Sequence, residues 1–218
     1  MSGLRDLERL AARAAAGDVP ALQDKRGRVD PLAARQAAVL ILFGSEAGPE
    51  AAALDCEVLF VERAATLTDH PGQIGFPGGG LESEDSGPEA AALREAVEET
   101  GLDITGVRVL GTLGQASLPV SNFLVTPVLG WWRVPSPAYA VDPAETARVF
   151  QASVRELLDP QNRFMATVRR GARAFRSPAF LAQETVIWGF TGGLLDQLFT
   201  ELGWTQEWDR GREWPIRV

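Results

Sequence analysis

Two segments, Ala37 to Phe43 and Glu57 to Arg63, are apolar at consecutive positions instead of alternating, which predicts strands covered on both faces in the middle of a sheet. Further strands are predicted at Val107 to Gln115, Phe123 to Trp131, Phe164 to Val168 and Thr185 to Trp188. Pro127 cannot donate to a ladder, so it places the second of these at an edge or a bulge. Helices are predicted at Glu89 to Thr100, Pro143 to Leu158 and Gly189 to Leu202. An accessory N-terminal helix is predicted over Leu4 to Ala16, where Leu4, Leu7, Leu10 and Ala11 have helical spacing and Pro20 stops any continuation. Gly44 to Asp55, with Gly48-Pro49, suits a loop. Strands and helices interleave without a regular βαβ alternation, which favours an α/β fold with a mixed sheet sandwiched by helices over a doubly wound parallel sheet.

Composition narrows the function classes. The 218 residues are 45% hydrophobic and 23% charged, as in one ordinary globular domain, with no internal repeat. The longest apolar runs are far short of the roughly 18 residues that a bilayer span needs, and no charged-apolar-small leader opens the chain. The expected compartment is therefore cytoplasmic, with no membrane partner. A lone Cys56 beside a lone His70 can form neither an internal disulfide nor a His/Cys zinc site. Net charge −8 repels polyanions and argues against nucleic acid, so a phosphate-bearing ligand would need help from a metal. The basic residues Arg163, Arg169, Arg170, Arg173 and Arg176 read as the solvated face of a hairpin and are assigned no role. The tail from Gly203 holds Trp204, Trp208 and Trp214, which are expected to dock on the body or on a second subunit; a homodimer is left open.

The most informative stretch is Phe76 to Leu102, FPGGGLESEDSGPEAAALREAVEETGL. Ser86 followed by Glu89 predicts a capping box, Pro88 is tolerated in the first turn, and Gly101 is a C-terminal stop. At roughly 100° per residue, Ala90, Leu93 and Val97 share the face expected in the core, and Glu95, Glu98 and Glu99 cluster nearly opposite. Three carboxylates so placed repel, at some tenths of a kcal/mol (~0.2–0.5) per pair on an isolated helix. A cation reverses that sign, and oxygen-only ligands select Mg²⁺ or Mn²⁺. Ala91 and Ala92 are expected to leave room for ions and a phosphate. Gly78, Gly79 and Gly80 form a loop able to approach a metal or phosphate closely, and Arg94 can fix a neighbouring carboxylate. Taken alone, the helix reads more readily as a solvated acidic face.

The preceding glycines change that balance. Glycine loop, capped helix, Arg94-Glu95 and Glu98-Glu99 in this order resemble the Nudix hydrolase box: Gly, five residues, Glu, seven residues, Arg-Glu, aliphatic, any residue, Glu-Glu, any residue, Gly, aliphatic. The box glycine falls on Gly80, the first box glutamate on Ser86 and the first aliphatic position on Ala96. Asp85, one residue earlier, stands where it can replace the missing acid. The segment Leu59 to Gly79, LFVERAATLTDHPGQIGFPGG, resembles the extra motif of the coenzyme A pyrophosphatase branch at Arg63, Ala64, Gly72, Phe76, Pro77, Gly78 and Gly79. Phe60 and Val61 depart from it, and Thr68 stands where a basic residue is expected. Pro119 to Pro127, Asp142-Pro143-Ala144-Glu145 and Trp188-Gly189-Phe190-Thr191 are similar to later landmarks of that branch.

The resemblance implies a Nudix-type α/β/α sandwich with a mixed β-sheet, organised as an N-terminal helical extension (1–36), a Nudix domain (37–203) and a Trp-rich tail (204–218). It implies Mg²⁺ or Mn²⁺ held by Glu95, Glu98 and Glu99 with a carbonyl at Gly80. Arg94 would support the carboxylates, and Glu145 would add a metal contact or activate water; the bland alternative for Glu145 is an acidic residue in the first turn of the helix from Pro143. Arg63, His70, Gln73 and Gly79 would meet a small-molecule pyrophosphate substrate, although a loop-organising hydrogen bond suits His70 and Gln73 equally, and a structural ion pair suits Arg63 almost as well. The expected reaction is hydrolysis of coenzyme A or an acyl derivative to phosphopantetheine and adenosine 3',5'-bisphosphate. The alternatives are a hydrolase of another nucleoside diphosphate derivative, favoured by Thr68, and a catalytically silent Nudix-fold ligand sensor.

Overall fold

The computed structural model describes residues 2–22, 29–30, 33–67, 70–119, 122–171 and 173–216. Thr68, Val120 and Ser121 lie outside the described residues, as do the side chains of Arg170 and Arg173. The elements run α1 (Gly3–Ala15), β1 (Arg35–Gly44), β2 (Glu57–Arg63), β3 (Ile74–Gly75), β4 (Gly78–Gly80), α2 (Pro88–Thr100), β5 (Val107–Thr112), β6 (Ala116–Leu118), β7 (Phe123–Trp132), β8 (Thr146–Ser153), α3 (Val154–Leu158), β9 (Arg163–Arg170), β10 (Arg173–Ala182), β11 (Thr185–Ile187), α4 (Gly189–Glu201) and β12 (Glu213–Ile216).

The main sheet is mixed. β1 runs parallel to β7 along its whole length, from Arg35 opposite Phe123 to Gly44 opposite Trp132. On its other flank β1 pairs with β2 only at Phe43–Val58 and Gly44–Glu57, after which the two strands diverge. The gap is filled by the segment that precedes α2: β3 pairs with β2, and β4 pairs with β1 through Ala37–Gly80, Ala38–Gly79 and Val39–Gly78. The glycines expected in a loop therefore form a strand toward the open end of this fork. Alternate residues of β1 face opposite layers. Ala38, Leu40 and Leu42 pack with Ala91, Ala92 and Ala96 of α2, whereas Ile41 and Phe43 pack with Leu4, Leu7 and Leu10 of α1 and with Leu194, Leu195 and Leu198 of α4. Helices on both faces of a mixed sheet make the expected α/β/α sandwich.

Several local expectations are overturned. The buried face of α2 is Ala91, Ala92 and Ala96, and Val97 is 38% exposed. The sheet below already carries Leu40 and Leu42, so the helix sits down on its smallest side chains; Ala91 and Ala92 are core and leave no room for ions. The N-cap of α2 is Gly87, with no side-chain cap, and Ser86 is exposed. Gly101 does end the helix in the left-handed conformation, φ 64°. Pro143 to Leu158 is not one helix: a turn at Asp142 to Glu145 leads into β8, and only Val154–Leu158 is helical. Thr146, Val149 and Phe150 suit a strand, β8 pairs along all of β2, and Ser153 starts α3 by accepting from Glu156 N–H at 3.1 Å. The strand expected to reach Gln115 stops at Thr112, and β6 resumes at Ala116. Pro127 lies in an interior strand rather than at an edge. Its carbonyl accepts from Leu113 N–H in the interval between β5 and β6, where no ladder donor is missed.

The basic segment forms the expected hairpin, β9 with β10, in a second sheet of order β11-β10-β9-β12. Arg163, however, is not solvated. It is fully buried, ion-paired to Asp196, and lies 4.2 Å from the Phe180 ring centroid and 4.4 Å from that of Trp208. Burial lowers its pKa and Asp196 opposes the shift. The tail docks on the body: Trp204 donates its indole N–H to Asp6 of α1 at 3.0 Å, and Trp214 stacks on Phe164. Removing Asp196 by Asp196→Ala leaves a buried guanidinium without its counter-charge. Stability should fall by about 3–5 kcal/mol in urea unfolding, and a loss under about 1 kcal/mol would mean that the aromatic rings alone hold the charge.

Candidate active site

The fork between β1 and β2 places α2 against β4 at van der Waals limits. A Cβ added to Gly78 would lie 2.3 Å from the Ala38 carbonyl oxygen, and one added to Gly79 would lie 2.3 Å from Glu95 Oε1. Only glycine admits this approach. It lets Gly78 N–H donate to Glu99 Oε2 at 3.0 Å. Glu95 and Glu99 thus flank the buried alanine face and turn toward the glycine strand, whereas Glu98 is exposed.

Arg94 organises the rest. Its guanidinium donates to both oxygens of Asp85 (3.2 and 3.0 Å), to Glu95 Oε1 (3.0 Å), to Glu98 Oε2 (3.0 Å) and to the Gly80 carbonyl (2.9 Å). Asp85 also accepts from Glu82 N–H at 2.9 Å. This fork-to-fork pair holds the Asp85 carboxyl below the usual carboxylate range and raises Arg94. Asp85, not Ser86, is the acid that engages Arg94. The Gly80 carbonyl, expected at a metal, accepts from Arg94, and Gly79 is the glycine against Glu95.

Burial pushes the Glu99 carboxyl up to about 7, against the Gly78 hydrogen bond; Glu95 and Glu145 add to the rise and Arg63 opposes it. Glu95 is also raised by burial, opposed by Arg94. The fold therefore brings Arg63 and Glu145 into the field of Glu99. Arg63 ends β2 on the face that carries Leu59 toward α2, and Ala147 of β8 is an extra, unpaired residue between the pairs Glu62–Arg148 and Arg63–Thr146, a bulge beside the site. Glu145 is exposed in the turn before β8, and its carbonyl accepts from Ala64 N–H at 2.8 Å. It is not in the first turn of a helix. His70 and Gln73 bond to each other, Nδ1 to Oε1 at 3.0 Å, and Gln73 O accepts from Arg63 N–H, so the two organise the loop after β2.

Among the described residues no three acidic, imidazole or thiol groups stand as a ready cation cage. Arg94 draws Glu95 and Glu98 to itself and Gly78 holds Glu99. The donor set nevertheless fits a hard divalent ion: all the side-chain donors are oxygens, and burial raises Glu95 and Glu99, with Glu95 adding to the rise of Glu99. Reasoning from the sequence missed the Gly78–Glu99 hydrogen bond and the turn position of Glu145; the FPGGG spacing was the available signal for the first.

A profile of the NUDIX domain matches residues 34–124. An uncharacterized Nudix hydrolase NudL from Enterobacter sp. (strain 638) is 34% identical over 182 residues, covering 84% of this chain and 90% of that protein. One from Photorhabdus laumondii is 35% identical over 141 residues, covering 65% and 74%. Among solved structures, a Nudix hydrolase from M. smegmatis, RenU, is similar at 24% identity and TM-score 0.43, covering 55% of this chain and 70% of that one.

The raised carboxyl of Glu99 has a definite stability signature. Between its ordinary value of 4.5 and about 7 the folded state binds more protons than the unfolded state, so metal-free stability falls as pH rises through that window. Glu99→Gln should remove this decline, which amounts to about 3 kcal/mol. Urea unfolding of both proteins in chelator at pH 4.5 and pH 7.5 measures it, and parallel curves would show that Glu99 titrates normally.

Proposed function

The chain belongs to the Nudix hydrolase family, and from that premise we propose that it hydrolyses the diphosphate of coenzyme A or an acyl derivative, releasing phosphopantetheine and adenosine 3',5'-bisphosphate. The observation that carries the reaction is the convergence of Glu95, Glu99, Arg63 and Glu145 beside the glycine strand. The substrate assignment rests on the segment Leu59 to Gly79 and its likeness to the coenzyme A pyrophosphatase motif.

Glu95, Glu98 and Glu99 would hold Mg²⁺ or Mn²⁺. A divalent ion there supplies charge neutralisation of the diphosphate and acidification of water. Water adds across the P–O–P link: its oxygen bonds to one phosphorus while the bridging oxygen departs on the other. A carboxylate of the cluster, or Glu145, accepts the proton. Arg63 contacts a phosphoryl oxygen, with the backbone of Gly79 alongside. Arg94 keeps Glu95 and Glu98 in reach by holding their carboxylates within one guanidinium fork, itself anchored by Asp85. His70 and Gln73 shape the loop that borders the substrate.

The absent basic residue at Thr68 supports a second reading, another nucleoside diphosphate derivative cleaved by the same machinery. Purified protein incubated with coenzyme A, ADP-ribose, NADH, a diadenosine polyphosphate and dGTP, each with Mg²⁺ or Mn²⁺, separates the two by product chromatography. Fastest release of adenosine 3',5'-bisphosphate is the expected outcome. Faster cleavage of another compound moves the substrate and keeps the mechanism, and binding without turnover makes the chain a sensor. Glu98→Gln and Glu99→Gln should each lower Mn²⁺-dependent turnover by about 10²-fold or more with the fold intact by circular dichroism. Undiminished turnover in both removes the metal assignment.

A further inference from the structure

Exposed large apolar side chains are few among the described residues, and three of them lie on α2 or on the strap that crosses its C-terminal end: Val97 (38% exposed), on the face of α2 away from Glu95 and Glu99, Tyr139 (60%) and Val141 (48%). Val97 is on α2 next to Glu98. Tyr139 and Val141 are on the strap of residues 133–145, which joins β7 to β8. The strap is pinned to the end of α2, where Tyr139 N–H donates to Thr100 O at 2.9 Å and Val141 N–H to Glu99 O at 3.3 Å. It then turns at Asp142, whose carbonyl accepts from the N–H groups of Glu145 and Thr146, and reaches Ala64 through the Glu145 carbonyl. One wall thus runs from the helix end past Glu99 to Glu145 and the end of β2.

Pro135, Pro137 and Pro143 stiffen this strap, because each fixes φ and lowers the entropy of the free chain. The Tyr139 ring lies directly over Gly101, 2.9 Å from where a Cβ would stand, so a bulkier helix stop would displace it. The result is an exposed aromatic ring over the C-terminal end of α2, two residues along the strap from the backbone bond to Glu99.

We propose that Tyr139, flanked by Val141, is the platform on which the nucleobase of the substrate stacks, and so a specificity-determining residue. This rests on the diphosphate hydrolase reading above. Stacking on one aromatic ring gives roughly a ten- to hundredfold effect on binding. Tyr139→Ala should raise KM for the best substrate of the panel by that factor with kcat little changed, and Tyr139→Phe should restore it. Tyr139 is the chain's only tyrosine, so ring-labelled tyrosine gives a single NMR signature. Adding AMP should shift that signature upfield, as ring current from a stacked base requires, while Mn²⁺ alone leaves it in place. An unmoved signature at AMP concentrations that inhibit turnover overturns the proposal. An unchanged KM in Tyr139→Ala also overturns it, even if the signature moves. The NMR arm needs no turnover: if no panel compound is cleaved, the hydrolase reading fails separately, and an AMP-induced shift still supports the platform.

Discussion

The site depends on one steric constraint, the contact between a two-glycine backbone and two glutamate side chains. Because Gly78 and Gly79 lack Cβ atoms, β4 can lie between Ala38 on one side and the carboxylates of Glu95 and Glu99 on the other. The helix is lowered to meet it by Ala91, Ala92 and Ala96, the smallest side chains that still bury apolar surface. Carboxylates brought this far into the protein lose hydration, which raises Glu95 and Glu99 together. Close packing and stored electrostatic repulsion are two consequences of the same approach, and the repulsion is what a hard cation would relieve.

The departure at Ser86 makes sense in these terms. Arg94 requires an acid that can present both oxygens to its fork, and the turn from Glu82 to Asp85 brings the shorter Asp85 side chain to it. An acid displaced by one residue is equivalent when it precedes the helix in a turn, since no helical register ties it to a face. Within α2 the same displacement would rotate a side chain by about 100°.

How much could be read from the chain follows the range of the interactions. The glycine stop of α2 and the apolar runs of β1 and β2 are local signals, and they are legible, whereas the cap expected at Ser86 and the loop expected at Gly78 to Gly80 are not what the fold makes. The face of α2 was not legible, because the helix chose small residues over large ones to suit a sheet that already supplied the bulk. β8 reads as helix because its partner β2 lies some ninety residues earlier, and pairing with Glu57 to Arg63 outweighs the weak helical pattern of Pro143 to Leu158. Arg163 shows the same limit. Nothing near it in sequence reveals Asp196, Phe180 and Trp208, which enclose it from another helix, another strand and the tail. The glutamates were legible as a group, but Glu145 came from a family landmark, and its place beside Glu99 depends on β8 being a strand.

Arg94 and Gly78 have a further consequence for the resting protein. With five donor contacts to Asp85, Glu95, Glu98 and Gly80, the guanidinium spreads a positive charge over the acidic cluster, and the Gly78 N–H adds a dipole at Glu99. These groups keep three mutually repelling carboxylates folded without a cation. A cation would therefore compete with Arg94 for Glu95 and Glu98, but not for Asp85, which retains its bidentate hold. Asp85 would thus keep the arginine in place if its other partners turned away. The separation of one anchoring acid from the exchangeable ones lets the cluster change partners without unfolding the loop that carries it.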